Sequence, residues 1–335
     1  MERGDVDRGA RGQLRRRAAK TGRREAVGGL AAAVAGVGLI AVLEHGPAVA
    51  IVPTVAQPSA TAAITAAMPT TTSTVAPTSS ATALAAVSAS TPLAITGARQ
   101  AAATAAASYA SSHGWTTGIA IVDLQTGATT TAGDPNALFP AESTVKVLLA
   151  ARILTDGEMT GDVAAAAHEM IVASDDASAD VLYDMGGGDG AVAWTESHYG
   201  IPGLGDGPAN GAGEWGSTQV TALGMARFLA AADDDPVAGP WLNSTMAQMQ
   251  PTAADGTNQL FGIAAAAPGS AVKQGWGGDV PGMNAETTPS IGYVDGRYAI
   301  AIYTLHTPTV SQSASAAIVT TQAQLLLPGG HVPDL

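Results

Sequence analysis

Apolar and polar positions recur with two different periods along residues 97–335, and each period predicts one kind of element. An apolar stripe at three- and four-residue spacing predicts a helix from Ser143 to about Thr155. Alanine-rich composition and helix-ending residues predict further helices at Arg99–Ser112, His168–Ala173, Ala177–Met185, Thr221–Ala231 and Ser311–Leu327.

Short runs rich in β-branched residues predict strands. These are Thr117–Asp123, a second strand through Thr131, Ala271–Trp276, Ser290–Val294 and Tyr298–Leu305. Asp295-Gly296 is a typical hairpin turn between the last two strands. Between the helices, Gly186-Gly187-Gly188 indicates a helix stop and residues 200–217 a glycine-rich loop.

The order of elements is helix, two strands, helices, three strands and a final helix. We therefore expect an α+β fold, within the broad α/β class. Its antiparallel sheet is built from both ends of the chain, with a helical region inserted between them. One folded domain is predicted over residues 97–335.

The first 96 residues have a different composition. Residues 1–25 form a basic tail with nine of the 15 Lys and Arg residues. Residues 26–50 are predicted to be a signal peptide or membrane anchor, because the uncharged run 26–43 follows a positive flank. Residues 51–96, mostly Ala, Thr, Ser and Pro, predict a disordered linker. We expect an extracytoplasmic protein, either secreted or held at the membrane through residues 26–43.

Charge and cysteine content exclude several classes of function. From Arg99 onward, six basic residues stand against 23 acidic ones, a net charge of −17. Nucleic acid is excluded as a partner, since phosphate binding needs a basic surface. The chain has no cysteine, which excludes disulfides, thiol catalysis and zinc–thiolate sites.

Only two lysines lie outside the basic tail, and each falls in a short motif. Lys146 closes Ser143-Thr144-Val145-Lys146, and Lys273 opens Lys273-Gln274-Gly275-Trp276, with Ser174-Asp175-Asp176 between them. A serine hydroxyl needs a neighbouring base to become a good nucleophile. A lysine three residues further along a helix lies on the same face and can supply that base.

These three motifs, in this order, resemble those of the penicillin-recognising serine enzymes, the class A β-lactamases and D,D-peptidases. The likeness covers roughly residues 97–327 and includes Phe139-Pro140-Ala141-Glu142-Ser143 before the first lysine. It implies a β-lactamase/transpeptidase-like fold, no cofactor or metal, and a monomer. The implied partner is a peptidoglycan stem peptide or a β-lactam.

The resemblance also implies a role for each site residue. Ser143 would attack a carbonyl carbon, with Lys146 as a partly neutral base. Ser174 would relay the proton, and Lys273 would attract the substrate carboxylate. The oxyanion hole would use the backbone amides of Ser143 and Trp276. Asp176, Gln274, Gly275 and Trp276 would line the substrate site.

Several positions depart from the family pattern. Ser143 and Ser174 are only 31 residues apart, which predicts a reduced helical region. Asp176 stands where the family usually has Asn, and its charge would raise the pKa of Lys146. Gln274 replaces Thr or Ser. Glu214 is the one glutamate of the loop where the family has its hydrolytic glutamate, and its surroundings do not match.

The leading hypothesis is an exported serine acyl-transfer hydrolase that forms an acyl-Ser143 intermediate. A true class A-like β-lactamase is the first alternative, and a catalytically silent wall-binding protein is the second. Each motif also has an ordinary structural interpretation. Lys146 could be a helix lysine whose ammonium group stays in solvent. Ser174 could be a helix N-cap, and Lys273 could be an exposed charge on an edge strand.

Overall fold

The computed structural model describes residues 97–278 and 284–334. The predicted basic tail (1–25), signal peptide or anchor (26–50) and linker (51–96) lie outside the described residues. Within the described ranges, no helix combines the length and apolar character that crossing a membrane requires.

Nine α-helices of the described chain are joined by short loops and four 3₁₀ turns. The α-helices are α1 Gly97–Ser112, α2 Lys146–Thr155, α3 Gly161–Val172, α4 Asp176–Leu182, α5 Ala191–Tyr199, α6 Ala222–Asp234, α7 Ala238–Met246, α8 Ile263–Ala266 and α9 Gln312–Leu326. The 3₁₀ turns are Glu142–Val145, Gly188–Gly190, Trp215–Ser217 and Pro328–Gly330.

The described strands form one large and one small antiparallel sheet. They are β1 Thr116–Asp123, β2 Thr129–Gly133, β3 Phe139–Pro140, β4 Gly205–Pro208, β5 Thr218–Val220, β6 Ala271–Gln274, β7 Glu286–Thr287, β8 Ser290–Val294 and β9 Tyr298–His306. The large sheet runs β2-β1-β9-β8-β6, with β7 also paired to β9. Because β1 from the start of the domain pairs with β9 from its end, the predicted sheet built from both chain ends is confirmed.

Both faces of the large sheet are buried, and the two-residue period of its strands sorts side chains between them. Ile119 and Ile121 of β1 pack with α1 and α9, together with Ile300 and Ile302 of β9. Ala120, in contrast, belongs to the core on the opposite face, which α6 covers. Because both sides of these strands are buried, their sequences are nearly continuous apolar runs.

Most boundaries agree with the sequence patterns because local capping and turn chemistry fix them. Thr221 and Ser311 cap α6 and α9 by accepting from the backbone amides of Gly224 and Ala314. Asp295 and Gly296 have φ values of 58° and 60°, as the predicted two-residue hairpin turn requires.

Several elements differ from the sequence predictions. The sequence patterns do not predict α5 or α7. The apolar stripe of α5 is weak. Helix α7 carries Pro240, which argues against a helix in the sequence but is tolerated here because it lies in the first turn. The helix predicted from His168 begins earlier, at Gly161. The loop 200–217 contains β4, which has little strand propensity of its own and forms because β5 supplies its partner.

A buried charge cluster ties the two ends of the domain together. Asp123 accepts from Arg297 Nη2 at 2.8 Å and Nε at 3.1 Å. Arg99 of α1 is 1% exposed; its Nη2 donates to the Tyr298 hydroxyl at 2.9 Å, and its Nε donates to the carbonyl of Pro333. Arg99 Nη1 lies 3.8 Å from Asp123, so this carboxylate balances the buried guanidinium.

We expect Asp123→Ala to destabilise the domain by about 3–5 kcal/mol, because it leaves the Arg99 guanidinium buried without its countercharge. Arg152→Ala, which breaks the partly exposed pair with Asp156 on α2, should cost less than about 1 kcal/mol. Urea unfolding of the two variants measures the difference. Equal losses would contradict the assignment of Asp123 as the charge that holds the termini.

Candidate active site

The candidate nucleophile lies at the junction between the small sheet and α2. Strand β3 pairs with β5 and leads directly into the 3₁₀ turn that contains Ser143. Glu142, the residue before it, has φ of 47°, a left-handed conformation that is costly for a residue with a side chain. Ser143 is 7% exposed and Lys146, at the start of α2, is fully buried.

The ammonium group of Lys146 points at the loop between α3 and α4. Its Nζ donates to the Ser174 carbonyl at 2.8 Å, to Ser174 Oγ at 3.4 Å and to Asp176 Oδ1 at 2.6 Å. Between the described side chains of Ser143 and Lys146 there is no hydrogen bond. The structure therefore brings Lys146 to the second motif and leaves Ser143 Oγ available for another partner.

Ser174 lies between the two lysines. Its Oγ accepts from Lys273 Nζ at 2.8 Å as well as from Lys146. Ser174 has φ of 53°, which turns its carbonyl toward Lys146. The N-cap of α4 is Asp175, whose side chain accepts from the amide of Ser178 at 3.0 Å. Ser174 is thus not the N-cap, and its hydroxyl is available to the lysines.

Lys273 enters the site from β6, the edge strand of the large sheet. It is fully buried, in contrast to the exposed edge charge that the sequence also allowed. Its Nζ makes a second bond, to the carbonyl of Gln274 at 3.0 Å. Burial, followed by the charge of Lys146, holds the pKa of Lys273 well below its usual value.

The pKa of Lys146 is also lowered, because burial disfavours its charged form. Asp176 opposes this effect by its charge and its hydrogen bond, as the sequence predicts, and Asp175 and Asp180 add to the opposition. The Asp176 side chain is 63% exposed, so solvent screens part of its influence. Lys146 therefore has a depressed pKa although it has an anionic partner.

The free edge of β6 faces Ser143. Gly275 and Gly277 donate their amides to Pro289 and Thr287 on the inner side of the edge. Because neighbouring amides of an extended chain point in opposite directions, the amide of Trp276 points away from the sheet. A Cβ on Gly275 would lie 3.1 Å from the Ser143 nitrogen, so glycine is what allows this close approach.

Gln274 differs from the other predicted substrate-binding residues. Its side chain is fully buried, and Nε2 donates to the Phe261 carbonyl at 2.6 Å. Its Oε1 is buried without a hydrogen-bond partner among the described atoms. The indole of Trp276 instead reaches Asp255 at 3.2 Å. Substrate contact by the Gln274 amide stays a prediction from the motif. In the structure this side chain is buried and bonded to the Phe261 carbonyl.

Sequence reasoning did not identify two residues next to this cluster. The first is Trp215, whose ring centroid lies 4.6 Å from Lys146 Nζ. The second is Glu142, whose carboxylate lies so close to Gly277 that a Cβ there would be 2.7 Å from Oε2. An aromatic residue in a glycine-rich loop was the available signal for Trp215. Glu214 comes just before the Trp215–Ser217 turn. Among the described residues, no group of three His, Cys, Asp or Glu side chains could hold a metal ion.

No family model matches the chain, and no curated protein matches its sequence. Solved structures do match. A β-lactamase from Chitinophaga pinensis is 15% identical with a TM-score of 0.51, over 66% of this chain and 96% of the other. An ancestral class A β-lactamase is 20% identical with a TM-score of 0.52, over 68% and 99%. A β-lactamase from Streptosporangium roseum is 19% identical with a TM-score of 0.52, over 68% and 97%.

The fold is that of the class A β-lactamases. The predicted fold class is thereby confirmed. Within this β-lactamase fold, two helices, α2 and α3, connect Ser143 to Ser174. At 15–20% identity the likeness concerns the fold, so the chemistry depends on the protein's own side chains.

The full chain has three lysines, Lys20, Lys146 and Lys273, so lysine labelled with ¹³C at Cε gives few NMR signals. We expect two of them to titrate below the usual lysine range, with Lys273 the more strongly depressed. Asp176→Asn should lower the pKa of Lys146 further, because it removes the negative charge that raises it. Three signals with ordinary lysine titration would contradict the buried pair.

Proposed function

We propose that this protein is an exported serine acyl-transfer hydrolase that forms an acyl-Ser143 intermediate. Its substrate is a cell-wall peptide resembling D-Ala-D-Ala, or a β-lactam. The observation that carries the proposal is the buried chain Lys146–Ser174–Lys273 beside Ser143. A structural lysine gains nothing from such burial, since removing the charge from water is costly. Export rests on the basic tail and the apolar run of the sequence.

Acylation can be written with these groups. Ser143 Oγ bonds to the carbonyl carbon as its proton passes to the neutral amine of Lys146. The bond from that carbon to the leaving nitrogen then breaks. Ser174 gives its proton to this nitrogen and takes one from the Lys146 ammonium, along the 3.4 Å contact between them. The amides of Ser143 and Trp276 would stabilise the oxyanion.

The depressed pKa values support these roles. A general base must be neutral for part of the time near neutral pH, and burial lowers the pKa of Lys146 in that direction. Lys273 donates to Ser174 Oγ at 2.8 Å, which makes that hydroxyl a better proton donor. Its amine also lies next to the open edge of β6, where an approaching substrate carboxylate would favour its charged form.

One observation favours the silent wall-binding alternative. The 2.6 Å contact between Asp176 and Lys146 stabilises the ammonium form, which cannot take a proton from Ser143. A protein that kept this pair during binding would hold a stem peptide without cleaving it. The true β-lactamase alternative draws on the names of the solved neighbours and requires fast release of the acyl group.

We expect incubation of the full chain with a penicillin to add the mass of the intact drug, at Ser143. Ser143→Ala should carry no adduct. Lys273→Met, which replaces a fully buried ammonium by an apolar side chain of similar length, should lower the acylation rate by about 10²-fold or more while the protein stays folded. Intact-mass spectrometry and peptide mapping measure both effects.

Three outcomes separate the hypotheses. A persistent adduct supports a peptidase-like enzyme, and rapid loss of free drug supports a β-lactamase. The absence of an adduct across several β-lactams, with the protein folded, would contradict both enzymatic functions and leave the wall-binding one. Circular dichroism confirms the folding of each variant.

A further inference from the structure

The ring of Trp215 lies against the amine of Lys146, next to the contacts made by the second motif. Lys146 Nζ donates to the Ser174 carbonyl and to Asp176 Oδ1. The ring centroid of Trp215 lies 4.6 Å from Nζ, within the range of a cation–π contact. Trp215 also packs against the main hydrophobic core. The amine is consequently fully buried.

Several contacts hold Trp215 in this position. Its Nε1 donates to Asp180 Oδ1 of α4 at 2.9 Å. Ser217, at the end of the same 3₁₀ turn, bonds back to the carbonyl of Glu214 through its amide and its hydroxyl. Gly216 faces the carboxylate of Glu142, whose Oε2 would lie 3.2 Å from a Cβ at that position. The ring is thus fixed between α4 and the nucleophile turn.

Hydrolysis of an acyl-serine needs a water molecule and a base at the same place. The water oxygen bonds to the acyl carbon, its proton goes to the base, and the bond from that carbon to Ser143 Oγ breaks as Oγ regains a proton. The neutral amine of Lys146, which lies three residues after Ser143 and is fully buried, can serve as that base. The indole, the Ser174 carbonyl and the Asp176 carboxylate all lie within contact distance of this amine, so a water molecule at Nζ competes with the indole for space.

We propose that Trp215 is a positioning residue that excludes water from Lys146, so that the acyl-Ser143 intermediate is long-lived. This inference rests on the proposed function. The loop that carries Trp215 sets the lifetime of the intermediate by occupying space next to the base. A persistent acyl group fits a protein that retains a β-lactam or passes its acyl group to an amine acceptor.

The test compares the lifetime of the penicillin adduct among variants of the full chain. After free drug is removed, intact-mass spectrometry follows the return of unmodified protein over time. Trp215→Ala opens the space, whereas Trp215→Phe keeps an aromatic ring over Lys146 and loses only the bond to Asp180. Trp194→Ala is the matched control, because it removes an indole that stacks on Arg152 and His198, away from the site.

We expect Trp215→Ala to shorten the lifetime about tenfold or more, a part of the 10²–10⁴-fold that a positioned base contributes. Trp215→Phe and Trp194→Ala should keep the wild-type lifetime. In the alanine variant, release should accelerate with pH and then level off at the pKa of Lys146, because only the neutral amine accepts a proton from water. General loosening of the fold would not give that plateau.

Asp180→Ala provides a second route if Trp215→Ala does not fold, since it releases the indole without removing it. Asp180→Ala should also shorten the lifetime of the adduct, as Trp215→Ala does. An adduct that forms but decays equally fast in the wild type and in every folded variant would overturn the inference alone. A wild-type protein that forms no adduct at Ser143 would overturn it together with the proposed function.

Discussion

Two lysine amines buried on either side of one serine hydroxyl are the constraint on which the site depends. Lys146 and Lys273 are fully buried, and both donate to Ser174 Oγ. Burial of two like charges is tolerated only when hydrogen bonds replace the lost water and the pKa values fall. The carbonyls of Ser174 and Gln274 supply such bonds. The edge strand β6 and helix α2 must therefore keep a fixed distance, and the large sheet provides the rigid support.

The backbone is strained at two positions of this site. Among the described residues, Glu142, Ser174 and Asp295 are the three non-glycine residues with positive φ. Asp295 belongs to a hairpin turn that favours this conformation, but Glu142 precedes the candidate nucleophile and Ser174 is the proposed proton relay. Each such residue costs on the order of 1–3 kcal/mol unless its surroundings compensate. At Ser174 the compensation is visible, since the turned carbonyl accepts from Lys146 at 2.8 Å.

Local chemistry explains what the sequence predicts and what it leaves out. The β-lactamase-like fold follows from elements with strong patterns, such as β8 and β9 with their Asp295-Gly296 turn. The three motifs indicate which side chains meet, because each carries an uncommon lysine or a helix-start serine. The contact between Trp215 and Lys146 is not predictable in this way, because Trp215 lies in a loop whose sequence has no hydrophobic periodicity. Likewise, the inward turn of Gln274 depends on the Phe261 carbonyl, thirteen residues away in the chain, which no local pattern encodes.

The acidic surface gives the buried lysines a particular electrostatic role. Arg99 and Arg297 share Asp123 as a countercharge, and Arg152 pairs with Asp156. Lys146 is offset by Asp176 at 2.6 Å. Lys273 is the second lysine of the site, and in its charged form it would attract a carboxylate at the open edge of β6. Long-range repulsion by a domain of net charge −17 is screened within about 8–10 Å at physiological salt. For the carboxylate-bearing substrate proposed above, recognition would therefore arise at contact distance, where a buried charge acts in a medium of low dielectric constant and is strongest.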